Sequence, residues 1–562
     1  MAHIPEKIES YNTTSGVSNG EGENGKSHVS TTDLDTALIK AEIYGHTQRG
    51  LKSRHIQLIA LGGAIGTGLF VGSGTILSTV GPAPLFMAYV IMSMLIWCIM
   101  NSLAEMTVYL PMPGVSVPYY VNRFFEPSLA FAAGWNYWYT YSILIAAEIS
   151  ASATVIQYWI PEERVPVAVW ITIILVVIVV LNVFVVSIYG EAEFWFATIK
   201  LMTLFGLIIV GIVIFFGGGP NHTRLGFYYW QNPGAFVSYK APGDTGKFLG
   251  FWYAFIHSGF AFITSPELVT ITAGESEAPR RNIPRAASRF IYRLAFFYCL
   301  GSLVITILVA SDDPNLVQAV TAGVQNAGAS PFVLGIQNAG IPVLNHIINA
   351  AIVTSAASAA NSILYAASRN LYSLSVTGHA PAIFQTCNKQ GVPWVAVAAS
   401  TALGCLAYLS VSNGSTVAFN WFLNLTTVSG FIAWVVVLMT YLRFREALIF
   451  NGMWDSRPYK TRFQPYTSWI VLFLLVLLSL TSGFQVFFPG SFTASTFLAA
   501  YITIPAFLML YLGHKIWLRG PWVRPVSEID VLTGKAEADE LERLEMRRDP
   551  RNLWEKIWFS LV

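Results

Sequence analysis

Charged residues and cysteines are both scarce in this sequence. Only 11% of its 562 residues are Asp, Glu, Lys or Arg, whereas soluble globular proteins average about 25%. The four cysteines have no paired spacing, which argues against a disulfide framework or a cysteine metal site. Because the sequence contains no metal-ligand cluster and no Ser/His/Asp arrangement of recognisable spacing, we expect no enzyme, no metal, no cofactor and no nucleic-acid partner.

Long hydrophobic runs, by contrast, fill most of the chain. Hydrophobic residues make up 54% of it and the mean hydropathy is +0.54, as is typical of a polytopic membrane protein. A helix needs about 20 mostly apolar residues to cross a bilayer. The sequence therefore predicts an all-α fold with twelve transmembrane helices, in chain order 56–77, 82–103, 129–158, 166–187, 194–216, 249–272, 291–310, 341–371, 392–411, 417–441, 467–487 and 493–516.

The loops between these helices predict how the chain is oriented. The stretch 278–293 after helix 6 holds five arginines, and the stretch after helix 10 holds five Lys or Arg residues. Cytoplasmic loops carry the excess of positive charge, so we expect both tails, 1–55 and 517–562, to be cytoplasmic. The N-terminal tail is polar and expected to be disordered. Asn221 and Asn413 are possible glycosylation sites on the outside, although such triplets also arise by chance.

Two predicted helices are weakened at their centres. Helix 1 contains four glycines in eleven residues, and glycine weakens a helix by about 1 kcal/mol relative to alanine. Helix 6 has a similar weak stretch around the sequence HSGFAFITSPE. The residues expected to break the two helices are Gly62, Gly63, Gly66 and Gly68 in helix 1, and Gly259 and Pro266 in helix 6.

Their positions five helices apart suggest an inverted repeat. Paired interruptions in matching segments indicate the binding site of a secondary transporter, although glycine can also serve close helix packing. The outer half of helix 1 would begin with free amides, which suit a carboxylate, and half-helix carbonyls would suit an ammonium group. We therefore expect residues 65–68, that is Ile65, Gly66, Thr67 and Gly68, to bind a zwitterion.

Several stretches resemble the yeast amino acid transporter family of the amino acid–polyamine–organocation superfamily. They include LKSRHIQLIALGGAIGTGLFVGSG at 51–74, YGEAEFWFATIK at 189–200 and FAFITSPELVTITAGESEAPRRNIPRA at 260–286. The resemblance spans residues 47–515 and is nearest to fungal neutral amino acid and proline permeases. It implies a LeuT-like core in which helices 1–5 (56–216) and 6–10 (249–441) are inverted repeats, plus two peripheral helices (467–516). It also implies proton-coupled uptake across the plasma membrane.

The resemblance also assigns roles to single residues. Gly66, Thr67 and Gly68 match the family's carboxylate site, and Phe260 matches an aromatic residue that covers the substrate. Glu148 matches an acidic residue expected to bind substrate or protons, although it could instead simply tie helices together. Lys200 matches a lysine that replaces a sodium ion in sodium-driven relatives and is expected to couple protons, unless it extends to the cytoplasmic surface.

Further polar residues are also candidates. His257 is expected beside the break in helix 6, facing the pocket or packing between helices, and Ser142 is a candidate on helix 3. Thr426, Thr427 and Ser429 could give helix 10 a polar inner face, whereas Glu105 is expected to serve inner gating or folding. Lys7, Lys26 and Lys40 in the N-terminal tail could accept ubiquitin through ligase adaptors, as the resemblance suggests.

Two positions bear on the substrate. The resemblance implies a lysine at 257 and a tryptophan at 356 in proline-type members, where this chain has His257 and Ala356. A smaller residue at 356 would leave room for larger side chains, so we expect a proton-coupled transporter of a broad range of neutral L-amino acids. The alternatives are a permease specific for proline or γ-aminobutyrate, and an amino-acid sensor, which the short tails disfavour.

Overall fold

A computed structural model describes residues 66–111, 116–183, 186–263, 265–273, 279–321, 330–341, 343–413 and 415–544. Over these residues the chain forms helices and no strand, as the sequence predicts. The predicted breaking residues Gly62 and Gly63, the candidate Ile65 and the lysines of the N-terminal tail lie outside the described residues.

Twelve helical segments, α1–α12, follow the predicted order. Their bounds are α1 Gly68–Val80, α2 Pro82–Tyr109, α3 Pro127–Ile156, α4 Val167–Val183, α5 Val186–Phe215, α6 Gly243–Ser258 with the turn Gly259–Phe262 and Ser265–Ala273, α7 Pro279–Leu308, α8 Leu344–Val376, α9 Trp394–Val411, α10 Ser415–Phe450, α11 Tyr466–Thr481 and α12 Ala494–Tyr501 with Thr503–Leu518. Within the described residues, eight helices are long and apolar enough to cross a membrane, or nine if the two parts of α12, bent by 49°, count as one. Each of the twelve predicted segments overlaps one of these helices, while the number of crossings stays a prediction.

The structure changes two details of the predicted loops. The five arginines of 278–293 do not lie in a loop, because residues Pro279–Leu294 form the amphipathic first part of α7. Asn413 is the last residue of the helical turn Leu409–Asn413, so it does not lie in a loop either. A further short helix, Val117–Phe124, precedes α3. It is too short to be found by searching for runs of about 20 apolar residues.

Helix α3 lies at the centre of the described structure. It packs along α8 and α10, and 89% of its most apolar window is buried, compared with 33% for α5. Polar groups join α3 to α10: Asn136 Nδ2 donates to Ser429 O (3.0 Å), and Ser429 Oγ donates to Asn136 Oδ1 (2.8 Å). A polar residue carried by α3 therefore faces other helices rather than lipid.

Helix α6 is interrupted in the middle. The α-helix ends at Ser258, the 3₁₀ turn Gly259–Phe262 follows, and Ile263 leaves the helical region with ψ 139°. The helix resumes at Ser265 and runs to Ala273. Pro266 lies in the first turn of this second half, where a missing N–H costs nothing. Pro266 thus begins the second half-helix, which corrects the expectation that it breaks the first.

The segment after α12 packs back onto the ends of other helices. Tyr109 Oη, at the end of α2, donates to Val531 O (3.0 Å), and the guanidinium of Arg123 lies 3.3 Å from the Asp530 carboxylate. Burial raises the pKa of Asp530, but hydrogen bonds from Thr533 and Leu532 and the charge of Arg123 outweigh it, so that this pKa falls below its ordinary value. Part of the predicted C-terminal tail is therefore fixed to the helical core.

Candidate functional site

The start of α1 touches the interruption in α6. Gly68 begins α1 with a π-helical turn that extends to Gly72, and such turns often mark functional sites. A Cβ on Gly68 would lie 2.6 Å from Ala261 Cα, within the 3₁₀ turn of α6. No side chain larger than hydrogen fits at Gly68, so glycine allows the main chains of α1 and α6 to meet.

A carboxylate of the protein itself binds the start of α1. Glu148, carried by α3, is 4% exposed. The Thr67 backbone N–H donates to both of its carboxylate oxygens at 3.3 Å, and Thr67 Oγ1 donates to Oε1 at 3.1 Å. The first amides of a helix have no partner within the helix and attract negative charge. Glu148 therefore occupies the position that the sequence predicts for the carboxylate of a substrate.

Gly66 makes this contact possible. A Cβ built on Gly66 would overlap the carboxylate oxygen Oε1 of Glu148. The sequence explains Gly66 as space for a substrate carboxylate, whereas in this structure the space is taken by the side chain of α3. In both cases the glycine brings a carboxylate close to the main chain at the start of α1.

A second buried carboxylate lies along α5 and was not singled out from the sequence. Glu193 is 0% exposed and accepts hydrogen bonds from Ser358 Oγ (2.7 Å) and Asn361 Nδ2 (3.2 Å) of α8. Lys200 is 1% exposed and is attracted electrostatically by both Glu193 and Glu148. Lys200 thus lies inside the protein and not at a cytoplasmic surface. The spacing of seven residues, two helical turns, could have linked Glu193 to Lys200.

A small cavity lies beside the interruptions, toward the Val80 end of α1, which is the predicted outer side. Its volume is about 200 Å³. Its lining residues are Gly68, Gly72, Thr75, Ile76, Tyr253, His257, Phe260, Asn420, Leu423, Asn424 and Gln485. Gly68 borders both this cavity and the amide bound by Glu148, so a zwitterion in the cavity would lie next to that amide.

Two sequence candidates face this cavity. Phe260 is 4% exposed and packs edge-on against Phe419 with ring centroids 5.8 Å apart. His257 stacks on Tyr253 at 3.9 Å, and its Nδ1–H donates to Tyr253 O at 3.0 Å. That bond fixes the histidine ring, so His257 both packs within α6 and lines the cavity.

Other candidates lie elsewhere. Ala356 is 1% exposed and does not line the cavity, and Ser142 is buried with no hydrogen-bond partner for its hydroxyl among the described residues. Glu105 accepts hydrogen bonds from Tyr441 Oη (2.9 Å) and the Thr461 amide (2.7 Å), which fixes the chain after α10 to α2.

The polar residues of α10 and the possible glycosylation sites also have local roles. Thr427 Oγ1 donates to Leu423 O (2.6 Å), the Thr426 hydroxyl has no partner among the described residues, and Ser429 joins α3. Asn221 is exposed, and its amide donates to Asn338 O (3.0 Å). The side chain of Asn413 is not described.

Three amide residues that line the cavity were not predicted from the sequence. Asn420 and Asn424 lie one helical turn apart on α10, and Gln485 follows α11. The spacing of the two asparagines was visible in the sequence, but nothing placed Gln485 near α1. Among the described residues, no three His, Cys, Asp or Glu side chains are grouped to hold a metal ion.

Comparison of folds defines the class of protein. The crystal structure of a manganese transporter from Eremococcus coleocola matches 92% of this chain and 98% of its own, with a TM-score of 0.56 and 13% sequence identity. At this identity the likeness concerns the fold alone. It confirms the predicted class, an all-α polytopic membrane protein with a LeuT-like transporter core.

Sequence comparison identifies the family. A family model described as amino acid permease matches residues 55–523, and the chain belongs to this family. A proline-specific permease from Emericella nidulans is 57% identical over 93% of this chain and 96% of its own. A probable proline-specific permease from Schizosaccharomyces pombe is 57% identical over 89% and 90%. The resemblance inferred from the motifs is therefore confirmed, and the chain is a multi-pass membrane transporter for amino acids.

Proposed function

We propose that this protein takes up L-proline together with protons across the plasma membrane, with both tails in the cytoplasm. The names of its relatives at 57% identity support proline over the broad neutral range that the sequence suggested. A broad range was expected because residue 356 is small, but Ala356 is not among the residues that line the cavity. A cavity of about 200 Å³ suits one compact amino acid.

The observation that carries proton coupling is the bond between Glu148 and the start of α1. Thr67 N–H and Oγ1 are the donors that a substrate carboxylate would need, and Glu148 already occupies them. Two ionised carboxylates do not share one site, because their repulsion favours protonation of one of them. Protonation of Glu148 weakens its hold on Thr67, so that the carboxylate of proline takes its place.

The charges of the groups around Glu148 support coupling to a single proton. When ionised, Glu148, Glu193 and Lys200 sum to one net negative charge, and one proton on Glu148 makes the group neutral. Lys200 acts electrostatically on Glu148, and Glu148 in turn acts on the buried hydroxyl of Tyr298. Unbalanced charge inside a membrane is costly. We therefore infer that, when substrate binds, Glu148 takes up a proton and the substrate carboxylate replaces Glu148 at Thr67.

Uptake of labelled proline tests the substrate. The protein is expressed in cells that lack their own permeases, and each of the other nineteen amino acids competes at tenfold excess. We expect unlabelled proline to compete far better than any other amino acid, and uptake to rise as the external pH falls. Equal competition by several large neutral amino acids would contradict proline specificity.

Variants of Glu148 test the coupling. Glu148→Gln removes the titrating group, so we expect loss of concentrative uptake and of its pH dependence, while exchange of internal for external proline persists. Glu267→Gln is the matched control, because Glu267 is also buried but does not contact Thr67. Concentrative, pH-dependent uptake by the Glu148→Gln variant would refute the exchange of carboxylates.

A further inference from the structure

The start of α1 and the interruption in α6 are each held by a tyrosine from the next helix of the same repeat. Tyr89 of α2 donates its hydroxyl to Gly68 O, at the start of α1, over 3.1 Å. Tyr298 of α7 donates its hydroxyl to Ala261 O, in the 3₁₀ turn of α6, over 2.9 Å. The contact between α1 and α2 in one repeat thus matches the contact between α6 and α7 in the other repeat, which lies five helices later in the chain.

The two tyrosines also contact each other. Their rings stack at a centroid distance of 6.3 Å and an interplanar angle of 26°, and Phe262 stacks on Tyr298 at 4.3 Å. Tyr89 is 1% and Tyr298 0% exposed. A buried tyrosine hydroxyl requires a hydrogen-bond partner, and here both partners are main-chain carbonyls. Gly68 O also accepts from the Ser73 N–H within the π-helical turn, and Ala261 O lies in the 3₁₀ turn of α6.

We propose that Tyr89 and Tyr298 form a symmetric pair of positioning residues that sets the shape of the substrate cavity. Gly68, bound by Tyr89, lines the cavity, and Ala261, bound by Tyr298, follows the lining residue Phe260 and contacts Gly68. The stacked rings join the two repeats where their interrupted segments meet. The pair does not touch the cavity itself, so it acts through the main chain that it holds.

Substitution by phenylalanine tests the pair, because it removes only the hydroxyl groups and keeps the stacked rings. The use of proline as substrate in this test rests on the proposed function. We expect Tyr89→Phe and Tyr298→Phe each to raise the KM for proline about three- to tenfold, as the loss of one buried hydrogen bond predicts. Vmax per transporter at the cell surface should change less than twofold. Tyr120→Phe is the matched control, because buried Tyr120 donates to the main-chain Leu110 O (2.8 Å) away from the cavity.

A second measurement does not depend on transport. Thr75 lines the cavity, so Thr75→Cys, in a protein whose native cysteines are replaced, reports cavity shape through its rate of labelling by a membrane-impermeant thiol reagent. We expect each of the two Tyr→Phe changes to alter this rate at least threefold, and Tyr120→Phe to leave it unchanged.

The outcomes separate this inference from the proposed function. Wild-type KM and wild-type labelling in both variants would overturn it, as would an effect of only one tyrosine or an equal effect of Tyr120→Phe. If the wild type takes up no proline but the two variants still change the labelling rate, the proposed substrate is wrong and the positioning pair stands.

Discussion

The start of α1 and the interruption in α6 are bound by different kinds of group. At α1 the buried amide of Thr67 binds the carboxylate of Glu148, a group that can gain or lose a proton. At the 3₁₀ turn of α6 two bonds come from neutral hydroxyls: Tyr298 Oη donates to Ala261 O, and Ser265 Oγ donates to Phe262 O at 2.7 Å. The start of α1 therefore has a titrating partner on its main chain, whereas the hydroxyl partners of this turn are neutral.

This difference assigns the two segments different tasks. Free amides attract anions and free carbonyls attract donors, so α1 presents the end that a substrate carboxylate can occupy by displacing Glu148. The partners of α6 have no reason to leave at any pH at which the protein is folded. We therefore expect α1 to be sensitive to small changes at its main chain, and α6 to tolerate similar changes better.

The largest difference is expected between alanine at Gly68 and alanine at Gly259. The new Cβ at Gly68 would lie 2.6 Å from Ala261 Cα, which is backbone and cannot move alone, whereas at Gly259 it would meet the ring of Phe431 at 2.5 Å. A ring can rotate or shift at a smaller cost. We expect Gly68→Ala to reduce proline uptake by more than about 100-fold and Gly259→Ala by about tenfold or less, since overpacking costs roughly 1–3 kcal/mol.

Surface labelling must accompany these uptake measurements, so that loss of transport is not confused with loss of protein. Gly206→Ala on α5 provides the control, because a Cβ there would meet no atom within 4 Å. Equal losses at Gly68 and Gly259, with equal amounts at the surface, would show that the two interruptions are equivalent.

Several of these features of α1 and α6 could be predicted from the sequence. Runs of apolar residues located every long helix, and the glycines near residue 66 together with HSGFAF indicated where α1 and α6 are weak. The hydrogen-bond partners of the two segments could not be predicted, because hydrophobic periodicity gives no distances between helices. Glu148 was expected to act on a substrate or proton, but its bond to Thr67 depends on how α3 packs, and the roles of Tyr89 and Tyr298 depend on contacts across two repeats.

Ala356 and Ser142 show what position along a helix leaves open. Ala356 was chosen by resemblance and Ser142 by its nearness to Glu148. Neither lines the cavity described above, since a shift of one or two residues turns a side chain to another face of a helix. The sequence therefore predicts the helical segments and the interruption in α6 better than it predicts which side chain faces a given cavity.

A smaller effect is expected at the hydroxyl of Thr67. Thr67→Val keeps the shape and the main-chain amide but removes the Oγ1 hydrogen bond to Glu148. If the substrate carboxylate later uses the same hydroxyl, the KM for proline should rise about ten- to hundredfold, the worth of one hydrogen bond to a charged group. Thr67→Ser should restore the wild-type KM. An unchanged KM in Thr67→Val would limit recognition of the carboxylate to the main chain.

The smallest effect is expected when Glu267, the buried glutamate of α6, loses its hydrogen bond from Tyr137. Glu267 lies in the first turn of the second half-helix, where a negative charge is favourable, and its Oε1 accepts from Tyr137 Oη over 3.4 Å, near the limit of a hydrogen bond. So long a bond contributes little, so we expect Tyr137→Phe to change proline uptake less than about twofold and to leave its pH dependence intact. If Tyr137→Phe instead shifted the pH dependence as strongly as a change at Glu148, then α6 would also hold a titrating carboxylate that takes part in transport, and the contrast between the two interruptions would be lost.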